Sequence, residues 1–104
     1  MTIQFNADKN IASNERTATY LNSIILDSLD RFSDNITRVA IHLSDENSNK
    51  TGSRDKRCVL EARLEGLKPI VVTNYADTVE KSVSGAMDKL VGTLDKTLER
   101  QRSY

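Results

Sequence analysis

The sequence predicts a two-layer α+β domain in the order βαβββα, a four-stranded sheet with two helices packed on one face. Three observations lead there. Two long stretches, one ending near Asn35 and one near Arg102, carry apolar residues at helical three/four spacing. Four short stretches alternate apolar and polar residues, as half-buried strands do. The last three of these follow one another with only a polar loop and a Gly/Pro turn between them, which suits an antiparallel meander. One sheet face can bury both helical stripes, so the other is left to water or a partner.

Thr2 to Asn6 is the first strand, with Ile3 and Phe5 on one side and Thr2, Gln4 and Asn6 on the other. A polar connector follows. Ser13 suits a helix N-cap, and Glu15 suits the positive end of the helix. Ala18, Leu21, Ile25, Leu29 and Phe32 then fall on one helical stripe. Ile24 and Leu26 widen that stripe, which a broad buried face explains more simply than a partner contact. The helix is expected to end near Ser33-Asp34-Asn35.

Ile36 to Ser44 is the second strand, with Val39, Ile41 and Leu43 inward and Arg38, Ala40 and His42 outward. Asp45 to Lys56 is polar throughout and reads as a long hairpin loop. From Lys50 to Arg57 the chain holds Lys50, Arg54, Lys56 and Arg57 against Asp55 alone, its densest basic cluster. Two readings stand there: a phosphate-contacting finger or a soluble loop tip. Lys56 to Glu65 is the third strand, Glu65 to Pro69 a turn, and Ile70 to Asn74 a fourth strand, for which Pro69 suits an edge position. The open sheet face would show Arg38, His42, Arg57, Val59, Glu61, Arg63, Val71 and Thr73.

The second helix is expected from Asp77 to Arg102, with Val79, Val83, Ala86, Met87, Leu90, Leu94 and Leu98 as its core stripe. Asp77 and Glu80 have capping-box spacing. At about 100° per residue, its outer surface separates the signs of charge. Lys81, Gly85, Lys89, Gly92, Lys96 and Arg100 form one stripe; Asp77, Ser84, Asp88, Asp95 and Glu99 form another. The basic stripe reads either as a track for a polyanion, with the glycines admitting close approach, or as a solvated face with i,i+4 pairs such as Asp77 to Lys81. Taken alone, the stripe favours the solvated face.

Composition narrows the function. Fifteen Lys and Arg balance fifteen Asp and Glu, which argues against a strongly attractive, non-specific nucleic-acid binder but leaves room for a local basic surface. Without tryptophan and with few aromatics, the core must be mostly aliphatic. Cys58 is the only cysteine and falls in the apolar set Cys58, Leu60, Ala62 and Leu64, as a small buried hydrophobe does. His42 is the only histidine and is expected on the opposite sheet face, so neither a Cys/His nucleophile pair nor a metal site is expected. No phosphate loop or dinucleotide fingerprint occurs, and neither an enzyme nor a cofactor is expected. With no apolar leader or membrane-length run, the protein is expected to be cytoplasmic.

Two segments carry a family resemblance. Leu29-Asp30-Arg31-Phe32-Ser33-Asp34-Asn35-Ile36-Thr37 resembles the passage from helix 1 to strand 2 of the ribosome hibernation-promoting factors, also called ribosome-associated inhibitors or ribosomal subunit interface proteins. Met87-Asp88-Lys89-Leu90, with Leu94 and Lys96, is similar to that family's helix 2. The resemblance implies one domain of this kind over residues 1–104, with a βαβββα fold akin to double-stranded-RNA-binding domains. It implies binding to the small ribosomal subunit and its RNA near the decoding region, and inhibition of translation in starved or stationary cells. Lys89 and Lys96 match the family's basic helix 2 positions and Arg31 lies near the end of helix 1, whereas Lys81 and Arg100 join them by helical geometry alone. The sequence departs from the family where Gly92-Thr93 replaces Arg-Gln, and where helix 1 carries Glu15, Asp27, Asp30 and Asp34 against Arg16 and Arg31. Those departures and the extra apolar Ile24 and Leu26 motivate an alternative: a protein-interaction or homodimerising module that keeps the fold without ribosome binding.

Overall fold

The computed structural model describes residues 1–8, 15–45 and 56–102. The chain forms β1 (Thr2–Ala7), α1 (Glu15–Leu29), a single 3-10 turn (Asp30–Phe32), β2 (Ile36–Asp45), β3 (Lys56–Leu64), β4 (Ile70–Ala76) and α2 (Val79–Arg102). The expected N-cap at Ser13 lies outside the described residues, as do Lys50 and Arg54.

The strands make one sheet in the order β1-β2-β3-β4. β2, β3 and β4 form the antiparallel meander, while β1 returns through α1 to lie parallel beside β2. Side chains alternate between faces, so the register defines rows across the sheet. Ile3, Val39, Ala62 and Ile70 make one core row, and Phe5, Ile41, Leu60 and Val72 the next. Leu21, Ile25 and Leu29 of α1 and Val83, Leu90 and Leu94 of α2 close over these rows without measurable exposure. The alternation of β2 breaks once, at a register shift between Ile36 and Arg38. That irregularity lets Ile36 join Val39 in the core, three residues away, where strict alternation would have turned one of them out. Ala40 is on the open face and still buried, its methyl lying low between Gln4 and Glu61 of the flanking strands.

The turn from β3 to β4 closes with Leu67 N–H donating to the Leu64 carbonyl, and Gly66 there has φ 76°. A side chain at that backbone conformation would be strained, which accounts for the glycine.

The start of α2 differs from the sequence expectation. Thr78, not Asp77, is the cap: Thr78 Oγ1 accepts from Lys81 N–H at 3.1 Å, and the Thr78 carbonyl accepts the first helical bond from Ser82 N–H. β4 runs on to Ala76, so the chain enters the helix one residue later and Glu80 is too early for a capping box. Asp77 pairs instead with Lys81 Nζ at 3.3 Å.

One polar contact sets how α2 sits on the sheet. Asn74, at the β4 end of the row containing Leu43 and Cys58, donates Nδ2 to the Ser82 carbonyl at 3.2 Å and the Lys81 carbonyl at 3.5 Å. Its amide occupies the place where residue 85 would carry a Cβ, which would come within 2.8 Å of Asn74 Cγ. Gly85 is therefore required by the protein's own packing. Gly92 is different: a Cβ there meets nothing within 4 Å.

Cys58 is fully buried, and removal from water pushes its thiol up from 9.0 to about 12. The raised value favours the protonated folded form. Its contribution to stability is complete below about pH 9 and is lost as pH rises through the folded value.

Gly92→Ala should raise stability by about 1 kcal/mol, the usual helix-interior difference. Gly85→Ala should lower it, because displacing Asn74 overpacks a seat at ~1–3 kcal/mol and outweighs the same helical gain. Urea unfolding of the two variants should give midpoint shifts of opposite sign, with Asn74→Ala partly rescuing Gly85→Ala. Separately, a thiol reagent at pH 8 should leave native Cys58 unlabelled and modify it only at urea concentrations that unfold the chain; fast labelling of native protein would contradict the burial described.

Candidate nucleic-acid interface

With α2 rotated by its seat on Asn74, its two charged stripes face different neighbours. The basic stripe lies toward β4: Lys89 Nζ donates to the Thr73 carbonyl at 2.8 Å. The acidic stripe lies toward α1: Asp95 meets Arg31 at the end of the first helical segment. The segregation read from helical spacing is thus a division of surface between the β4 flank and the inter-helix groove.

The candidate cations are not equivalent. Arg31 and Asp95 pair in bidentate fashion, Nη1 to Oδ1 at 2.9 Å and Nη2 to Oδ2 at 3.0 Å, and the guanidinium lies over the Phe32 ring at 4.3 Å. A carboxylate thereby fills the fork with which arginine would grip a phosphate. Arg31 is also on the α1-facing flank, away from the lysine stripe. Lys81 pairs with Asp77 along the helix and remains largely exposed. Lys89 is held to the β4 backbone. Lys96 and Arg100 are exposed and form no ion pair with any described residue. Between Lys89 and Lys96 the helix surface is notched at Gly92, open to solvent.

The basic cluster expected around the long loop divides at the start of β3. Lys56 and Arg57 are consecutive strand residues and point to opposite sheet faces. Lys56 is half-buried and pairs with Asp45 at 3.3 Å. Arg57 stands on the open face opposite Tyr75. Lys56 and Arg57 thus project from opposite faces of β3, while Lys50 and Arg54 lie outside the described residues.

Sequence reasoning placed Arg38 and Arg63 on the open face but did not count them among the candidate RNA contacts. Both approach Glu61 Oε1, at 3.7 and 3.5 Å. Their outward alternation with buried neighbours was the available signal. Nor did it single out Tyr20 on α1 and Tyr75 on β4, which are about half exposed. Among the described residues no three His, Cys, Asp or Glu side chains converge on a metal-sized site. No described helix is long and apolar enough to cross a membrane.

The Arg31–Asp95 pair is solvent-exposed, so a double-mutant cycle with Arg31→Gln and Asp95→Asn should give a coupling below about 1 kcal/mol that shrinks with added salt. A larger, salt-insensitive coupling would show a desolvated clamp between the helices.

A model of the family described as Sigma 54 modulation protein / S30EA ribosomal protein matches residues 3–102. The fold is similar to that of a ribosomal subunit interface protein from Coxiella burnetii, with a TM-score of 0.73 and 22% identity over 95% of this chain and 99% of that one. It is also similar to the N-terminal domain of Protein Y from Thermus thermophilus, with a TM-score of 0.72 and 20% identity over 93% of this chain and 99% of that one. No curated protein sequence matches the chain.

Proposed function

The chain belongs to the Sigma 54 modulation protein / S30EA ribosomal protein family, and from that membership we propose that it is a ribosome-associated, RNA-binding regulator of translation. In this reading it docks on the small ribosomal subunit through ribosomal RNA, occludes the decoding region, and restrains translation in starved or stationary cells. It acts by occupying space, with no bond made or broken and no cofactor, and it works in the cytoplasm where ribosomes are.

The observation that carries the reading is the C-terminal half of the α2 basic flank. Lys96 and Arg100 are exposed cations without partners among the described residues, beside the open notch at Gly92. Phosphate contact needs such cations, because Lys and Arg already neutralised have little to gain from exchanging one anion for another. A helix interior that tolerates an exposed glycine, at ~1 kcal/mol against alanine, offers a strand of backbone a closer approach than a side chain would permit. Lys89 would contribute from the same flank while still bonded to Thr73. Arg31 would contribute only on release from Asp95.

A second reading rests on α1, where Leu26 is 48% and Tyr20 54% exposed while Ile24 packs against the core. The broad buried face explains Ile24, whereas Leu26 stays available to a protein partner or a second copy.

Sedimentation of the protein with purified small subunits at low and moderate salt separates the two. Ribosome association should weaken steeply with salt, and Lys96→Glu with Arg100→Glu should abolish it while leaving the stability measured by urea unfolding within ordinary surface-mutation limits of about 0.5 kcal/mol. Free protein at the top of the gradient in both salts, with a dimer or a nuclease-resistant protein complex formed through Leu26, would replace the RNA reading by the second one.

A further inference from the structure

We propose that the open face of the sheet is a second contact surface for single-stranded RNA, continuous with the α2 basic flank around the edge strand β4. The proposal deepens the ribosome-binding reading above and rests on it for the identity of the polyanion.

The face is built by register. Arg57 lies opposite Tyr75, Val59 opposite Thr73 and Glu61 opposite Val71. Asp8 N–H donates to the Leu43 carbonyl, so the backbone groups of Leu43 point to β1 and those of His42 and Ser44 point to β3. The alternation carried across the sheet makes the three β3–β4 pairs non-hydrogen-bonded ones, in which side chains stand closest. Arg57 and Tyr75 are thus close cross-strand neighbours on an exposed sheet face. Tyr75 is 49% and Val71 56% exposed, large apolar groups that nothing in the described chain covers.

Charge is unbalanced in the same place. Arg38, Arg57 and Arg63 share the face with Glu61 and, by the alternation of β1, with Asp8 at the far end beside Ser44. Glu61 Oε1 holds both Arg38 and Arg63 near the sheet, and one carboxylate leaves those two with a surplus positive charge. The outward side of the helices is the reverse, with Asp27, Asp30, Asp88 and Asp95 exposed around Arg31. A polyanion is therefore drawn to the β4 side of the molecule.

The two basic surfaces join there. α2 runs antiparallel to β4, with Lys81 and Ser82 beside Asn74 and Lys89 beside Thr73, so Lys96 lies toward the Val71 end. The side chains of Val71, Thr73 and Tyr75 turn onto the open face from that same strand. Arginines that neutralise phosphates next to an exposed ring on which a base stacks are the elements of sequence-tolerant single-strand binding.

The test uses the full chain, a fluorescently labelled twelve-nucleotide single-stranded RNA of mixed sequence, and purified small ribosomal subunits. Tyr75→Ala should weaken oligonucleotide binding at least about fivefold, with Tyr75→Phe restoring it, as stacking requires. Arg63→Gln should reduce the slope of log affinity against log salt by about 0.7. Both variants should also lose subunit association in proportion. If the sheet variants bind oligonucleotide and subunits as the wild type does, while Lys96→Glu with Arg100→Glu does not, the sheet surface is overturned and the ribosome reading stands. If the wild type binds the oligonucleotide through Tyr75 but no subunits, the sheet surface stands and the ribosome reading falls. Binding to neither overturns both. Loss of subunit association with unchanged oligonucleotide binding and salt slope would assign the face to a protein and overturn the proposal.

Discussion

One face of a four-stranded sheet has to be kept dry, and almost everything else in this molecule follows from how that is done. The two core rows of the sheet are aliphatic or aromatic from edge to edge, and a slip of one residue in any strand would exchange them for the polar set on the other side. Both helices are committed to covering that face. A chain of this length has little further apolar surface to bury, so any contact with a large partner must be made by the helix flanks or by the uncovered sheet. The absence of tryptophan is consistent with this division, since the core is filled by branched aliphatics and Phe32.

The rotation of α2 about its own axis decides what those flanks offer. Apolar burial alone defines the rotation only loosely, because a stripe of Leu, Val and Met tolerates some rolling. Asn74 removes the tolerance by bonding carbonyls of the first turns of α2 from a pocket that only glycine leaves open. Once that contact is made, lysines fall beside β4 and aspartates beside α1. A neutral chain thereby presents a cationic side and an anionic side without a net charge that would bind every polyanion.

The periodic parts of this architecture were legible in the sequence. Element order, the inward faces of the strands, the buried Cys58 and the opposed His42 follow from spacings of two and of three or four, and the register and burial agree with them. Contacts between distant residues were not legible. Nothing near Gly85 announces that Asn74 will fill its space, and Arg31 carries no local sign that Asp95, sixty-four residues on, will take both its nitrogens. The cap moved from Asp77 to Thr78 because two adjacent residues were both able to serve, and only the length of β4 chose between them. The same limit applies to the basic stripe. Spacing placed Lys81, Lys89, Lys96 and Arg100 together, whereas their present partners, which separate the occupied cations from the available ones, depend on tertiary structure.

The bond from Lys89 to the Thr73 carbonyl has a consequence for how the protein behaves at high concentration. β4 ends the sheet, and the outward backbone groups of its residues are a template on which another chain's strand can add. An ammonium seated on the middle one of those acceptors denies the template its continuity and sets a charge across the approach. Growth of the sheet past β4 is discouraged by a side chain that also belongs to the basic flank of α2. Replacing it with a neutral residue would open an adhesive edge along with any loss of phosphate contact.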